Sequence, residues 1–183
     1  MGREGSDVAV TKKKPENDDL YEFGLDLPKR RVYLEGEIDE KSAMQVIKGL
    51  SILSRMSDTD PIQIVINSEG GETVQGFAIM NYIRTLSNEV FGIVVGRCCS
   101  AAVVVLQGCT YRNAMRDSVL MIHRGTRNDV FDKRLDERAD KVIADRMGWT
   151  LAKLDKFQSY DRYLFAEEAL EIGLIDEIIG GTK

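Results

Sequence analysis

Histidine is nearly missing from this chain: 183 residues contain one, His123. Imidazole is the side chain that ordinarily titrates near neutrality, so proton transfer at pH 7 has one obvious seat. Cysteine is scarce as well. Cys98 and Cys99 are adjacent and Cys109 stands at no metal-like spacing from them, which excludes a disulfide framework and a zinc-type site. Three unpaired thiols fit a reducing compartment, so a cytoplasmic location is expected. Positive charge is in deficit, 25 Lys and Arg against 30 Asp and Glu, with a net charge of −5, which argues against nucleic acid as a partner. The basic run Lys12–Lys14 is followed at once by Glu16, Asp18 and Asp19 and reads as a solvated arm. No run of about 18 apolar residues occurs, so no membrane span is expected. The first 20 residues are polar, without the apolar segment of a secretory leader. No phosphate-binding P-loop pattern is found either.

The rest is ordinary globular material, 43% hydrophobic and 30% charged, enough for one domain with its own core. Residues 1–20 are expected to form a flexible polar segment and 21–183 a single domain. From Arg31 onward, strands alternate with helices. Val32–Leu34 reads as a strand, and Asp39 caps a helix with apolar positions Ala43, Met44, Ile47, Leu50 and Leu53. Asp60-Pro61 punctuates it before the buried strand Ile62–Ile66, which ends in Asn67-Ser-Glu-Gly-Gly71. A helix from Thr73 to Leu86 and a strand from Val90 to Val95 follow, then an apolar helix beginning at Ser100. Strands are expected at Tyr111–Met115 and Ser118–Ile122. Beyond His123, a charged helix carries the stripe Phe131, Leu135, Ala139, Val142 and Ile143 and closes near Gly148. Thr150 caps another helix toward Tyr160. The last elements are a helix over Phe165–Ile172 and a strand over Leu174–Ile179. This alternation predicts an α/β fold with a largely parallel sheet.

Several residues with chemical potential fall at the ends of these elements. Ser100 opens a helix, where unpaired backbone N–H groups and the dipole favour negative charge. His123 ends a strand. Gly70-Gly71 brings bare backbone between a strand and a helix. Asp161 lies at a helix–helix junction. Acyl transfer needs this set of parts: a nucleophile, a base, an orienting carboxylate and donors where negative charge develops. Each part also has a plainer reading. A serine at a helix start is commonly a cap, Gly-Gly a tight turn, and an aspartate between helices another cap. A lone histidine is more often a hydrogen-bonded core residue.

The motifs together are more specific. Ile66-Asn-Ser-Glu-Gly-Gly71, Gly96-Arg-Cys-Cys-Ser100-Ala, Leu120-Met-Ile-His123 and Asp161-Arg-Tyr-Leu-Phe-Ala-Glu-Glu-Ala169 through Gly173-Leu-Ile-Asp176 occur in an order that resembles the proteolytic subunit of the Clp protease (ClpP type) from about residue 20 to 179. The resemblance implies a ClpP/crotonase-like α/β spiral of β-β-α units with a protruding handle helix, the handle region being about 124–149. It implies a serine endopeptidase with Ser100 as nucleophile, His123 as base and Asp161 as orienting carboxylate. The Gly70 and Ala101 N–H groups would form the oxyanion hole. It implies no cofactor, since ATP is consumed by a partner AAA+ unfoldase that feeds unfolded polypeptide into the chamber. Self-association into a heptameric ring, stacked as a double ring, is implied too.

The sequence departs from the family at several points. Glu69 stands where the family commonly has proline, and Cys99-Ser100-Ala101-Ala102 replaces Ala-Ser-Met-Gly, which should reshape the pocket for the residue before the scissile bond. The segment between His123 and Asp161 is shorter than the family's, which weakens the expectation of a double ring. Gln63 and Val65 replace aromatics that usually line the unfoldase docking pockets. A compact, divergent form of this kind fits a phage-encoded or accessory member, for which capsid maturation is one role. Two further readings compete: an inactive subunit of a mixed ring, and a crotonase-type enzyme acting on acyl-CoA, which shares the fold and paired backbone donors but needs no Ser–His pair.

Overall fold

A computed structural model describes residues 24–125 and 129–180. The expected N-terminal arm, 1–20, and residues 126–128 of the handle region lie outside them.

The sheet is built on strands buried from both sides. β2 (Arg31–Ile38), β3 (Ile62–Gly71), β4 (Val90–Cys99) and β5 (Tyr111–Met115) run parallel, flanked by the short β1 (Leu25–Asp26) and β8 (Glu177–Ile179) in the order β1-β2-β3-β4-β5-β8. Continuous apolar runs such as Ile62–Ile66 suit a parallel sheet whose faces are both covered. Helix α1 (Glu40–Met56) covers one face. Asp39 caps it in a reciprocal box with Ser42, as the sequence predicts, and Ala43, Val46, Leu50 and Leu53 are buried. α2 (Thr73–Ile83) follows β3, and α3 (Ala101–Gly108) follows β4. Residues 101–107 of α3 are all buried, so this helix is enclosed by other elements instead of lying on the surface.

β4 is long enough to serve two partners. Its first half, Phe91–Val94, pairs with β5, while Arg97–Cys99 pairs with β6 (Val119–Ile122). β6 in turn pairs antiparallel with β7 (Arg162–Phe165), with Ile122 opposite Arg162. The sheet therefore splits at the C-terminal end of β4, and the crevice so formed is where α/β sheets place their chemistry. Ser100, His123 and Asp161 are all at this split.

α4 (Val130–Met147) is the charged helix. Its C-terminal half packs through Ile143, Ala144 and Met147, and Gly148 ends it in the left-handed conformation at φ 67°. Its first turn stands clear of the core, with Val130 75% and Phe131 59% exposed. α5 (Leu151–Phe157) and α6 (Ala166–Glu171) complete the helices.

Four expectations change in detail. Asn67–Gly71 continues β3 instead of leaving it as a loop, because its backbone still pairs with β2. β4 likewise runs four residues further than Val95, held by β3 and β6. β7 appears where the sequence predicts only a helix junction, so Asp161 sits between α5 and a strand. The last helix accordingly begins at Ala166, not Phe165.

Candidate active site

Ser100 occupies a strained turn between β4 and α3. Its φ of 53° and ψ of −121° are outside the usual regions for a residue with a Cβ, a conformation that costs on the order of 1–3 kcal/mol. The surroundings enforce it. Its N–H donates to the Met121 carbonyl on β6 at 2.8 Å, its carbonyl accepts from Val103 N–H at 2.9 Å, and the buried α3 anchors the following residues. On the other side is Gly70, at φ 94°. A Cβ there would lie 2.5 Å from the Cys99 carbonyl oxygen and 2.9 Å from Ser100 Cβ, so only glycine lets β3 approach the turn this closely.

His123 leaves the end of β6, and its Nε2 lies 2.8 Å from Ser100 Oγ. The two residues, 23 positions apart, are within proton-transfer distance. Both are half-buried.

Asp161 is only partly brought in. The register of β6 against β7, with Ile122 opposite Arg162, sets Asp161 across from His123 one step further along. The residue is nevertheless exposed, and among the described residues no hydrogen bond joins its carboxylate to the imidazole. The preceding turn is held by Arg162, whose Nε donates to the Phe157 carbonyl at 2.6 Å and whose guanidinium stacks 3.8 Å above the Tyr160 ring.

The glycine donor needs correction. Gly70 N–H donates to Ser68 Oγ at 3.1 Å, and Ser68 Oγ donates onward to the Gly36 carbonyl of β2 at 2.6 Å. In this conformation the Gly70 amide is therefore turned from the crevice toward β2. Ala101, by contrast, is the first residue of α3, where the N–H has no intrahelical partner.

The adjacent thiols offer no second nucleophile. Cys98, Cys99 and Cys109 are buried, and burial pushes their pKa values up, that of Cys109 to about 12. They stay protonated and unreactive at neutrality.

Sequence reasoning missed two residues in this crevice. Asp136 and Asp140, on the inner side of α4, line the same small cavity as Ser100 and His123. They look like solvated charges on a charged helix. The available signal was their spacing to the apolar stripe, since 136, 139, 140 and 143 share one helical face.

A hydroxyl on a strained strand-to-helix turn, hydrogen-bonded to an imidazole at the carboxyl ends of parallel strands, is the geometry of the serine–histidine class of hydrolases. Comparison with known proteins narrows the class. Residues 13–182 match the Clp protease family model, and the chain belongs to that family. It is 31% identical to the ATP-dependent Clp protease proteolytic subunit 2 of Treponema denticola, over 94% of this chain and 92% of that protein. Against the subunit of the same name from Pseudomonas aeruginosa the identity is 30%, over 87% and 85% of the two chains. Among solved structures, a point mutant of ClpP1 from Listeria monocytogenes superimposes with a TM-score of 0.79 at 28% identity, covering 85% of this chain and 94% of that one. The fold is the ClpP fold, and the role that follows from the family is that of a Clp proteolytic subunit.

Proposed function

We propose that the chain is a serine endopeptidase that cleaves unfolded polypeptide within a ring-shaped chamber. The observation that carries this reading is the 2.8 Å contact between His123 Nε2 and Ser100 Oγ. In the proposed reaction, Ser100 Oγ forms a bond to the scissile carbonyl carbon as its proton passes to His123 Nε2. The carbonyl π electrons move onto oxygen. Collapse of that tetrahedral species breaks the C–N bond, and the imidazolium returns the proton to the leaving amine. Water, deprotonated by the same imidazole, then hydrolyses the acyl-enzyme.

For Nε2 to accept, Nδ1 must carry the other proton, and a carboxylate near Nδ1 favours that tautomer. Asp161 is the proposed orienting group, and a modest rotation of its exposed side chain toward the ring completes the triad. The developing oxyanion is received by Ala101 N–H at the start of α3. The second donor is assigned to Gly71. Gly70 and Glu72 N–H both turn toward β2, Glu72 reaching the Ile38 carbonyl at 2.8 Å, and an extended chain directs the intervening amide the opposite way.

The family relationship further supports a cytoplasmic heptameric ring, with ATP-driven unfolding supplied by an AAA+ partner. No cofactor enters the chemistry of this subunit.

The test is cleavage of a fluorogenic peptide and of a denatured protein by the purified assembly. Ser100→Ala and His123→Ala should each abolish turnover while the assembly mass is unchanged. Activity retained in Ser100→Ala would refute the reading.

A further inference from the structure

The cavity beside the Ser–His pair carries an unusual charge. On one side Ala101, Val104 and Ile122 form an apolar wall around Ser100; on the other, α4 contributes Asp136 and Asp140 together with Ile143. Residues 136 and 140 are one helical turn apart and so present their carboxylates on the same side. Asp140 Oδ1 accepts a hydrogen bond from Gln158 Nε2 at 2.7 Å. A neutral amide orients a carboxylate without cancelling its charge. The Asp136 carboxylate packs directly over the Cα of Gly125, two residues past His123, where any added Cβ would collide with it. Among the described residues that line the cavity, His123 is the only one able to carry positive charge.

Two carboxylates on one wall of a narrow crevice with apolar surroundings focus a negative potential into it, and such a field favours a positive charge. A cationic substrate side chain would meet both carboxylates at once. The acyl carbon of a bound peptide must lie at Ser100 Oγ, so a pocket walled by Ser100, Ala101 and Val104 receives the side chain next to that carbon, the residue before the scissile bond. The cavity measures about 50 Å³. That is room for about four water-sized spheres, comparable to the extended methylene chain and ammonium of lysine.

Building on the serine-peptidase reading above, we propose that Asp136 and Asp140 make this pocket a cation-selecting subsite, so that the enzyme prefers lysine or arginine immediately before the cleaved bond. Apolar Val104 and Ile122 cover the methylenes, and the two carboxylates receive the charge. The residues determine specificity and take no part in bond making.

The test uses two peptidyl phosphonate probes that differ only in the residue next to phosphorus, lysine in one and norleucine in the other. Norleucine keeps the chain and removes the ammonium. The second-order rate of Ser100 labelling should be at least about fivefold higher for the lysine probe in the wild-type assembly, the discrimination that about 1 kcal/mol of charge pairing gives. Asp136→Asn and Asp140→Asn should each lower that ratio, and the double variant should bring it near one. Asn keeps the size of Asp and the acceptor for Gln158. A wild-type ratio at or below one, or a ratio that neither substitution changes, overturns the subsite while leaving Ser100 as nucleophile. Failure of both probes and of a plain fluorophosphonate to label Ser100 overturns the peptidase reading, and the subsite with it.

Discussion

The two sides of the crevice are built by opposite means. On the nucleophile side, position is set by backbone and apolar packing: Ser100 is trapped in a strained turn between a glycine contact, a hydrogen bond to β6 and a wholly buried helix. On the carboxylate side, position is set by exposed polar side chains. Arg124 bridges to Asp155 at 2.7 Å, Gln158 reaches Asp140, and Arg162 stacks on Tyr160. Packing of the first kind has few alternatives, because interiors are close-packed and deviations cost several kcal/mol. Contacts of the second kind are individually worth about 1 kcal/mol or less and allow rearrangement. The pair that must sit at proton-transfer distance is already formed, while the group that only steers the imidazole is still loose.

Substitutions can break this contrast in descending order of effect. Ser100→Ala should lower peptide turnover by about 10³-fold or more with no loss of folding, measured by steady-state kinetics beside thermal melts. On the same side, Leu106→Ala, which empties a fully buried position in α3, should destabilise by about 2–5 kcal/mol in denaturant titration. Phe131→Ala, at the exposed start of α4, should stay within about 0.5 kcal/mol. Equal losses at the two positions would erase the distinction between the two sides.

Asp161→Asn is the sharpest probe of the loose side. It should cut kcat by about 10²-fold or more through the wrong imidazole tautomer, yet change stability by less than about 0.5 kcal/mol because the side chain is exposed. A large stability loss with intact kcat would reverse the assignment.

A further contrast concerns acid. Asp176 is bound by the Arg112 guanidinium in a bidentate pair. Partial burial pushes its carboxyl up, but the Arg112 hydrogen bonds and charge outweigh this and hold it below the usual range. A depressed carboxyl pKa gives stability that is present above the unfolded value and lost as pH falls through the folded one. The contribution should therefore be complete at neutrality and disappear below about pH 4. Melts across that range should show Asp176→Asn flatter with pH than the wild type.

Much of this architecture was legible in the sequence because local patterns agreed with the tertiary result. The Asp39 cap, the apolar run of β3 and the continuous hydrophobicity of α3 each determine their own element. The misses share one cause. β7, Arg162–Phe165, is four residues long with exposed Tyr163 and Phe165, and it is a strand only because β6 pairs with it. The Gly70 N–H was assigned by position, but its direction depends on Ser68, whose hydroxyl bridges to β2. Ser100 and His123 were identified by motif, and their separation of 2.8 Å emerges only once β4 and β6 are paired. Asp136 and Asp140 resembled surface charges until α4 was seen packed across the crevice.

The most direct test of the central claim is to map where a fluorophosphonate attaches, by peptide mass spectrometry, and how fast, as a function of pH. The account predicts a single adduct on Ser100 that forms more slowly as His123 protonates and vanishes in His123→Ala. An adduct elsewhere, or Ser100 labelling at an undiminished rate without the imidazole, would contradict it.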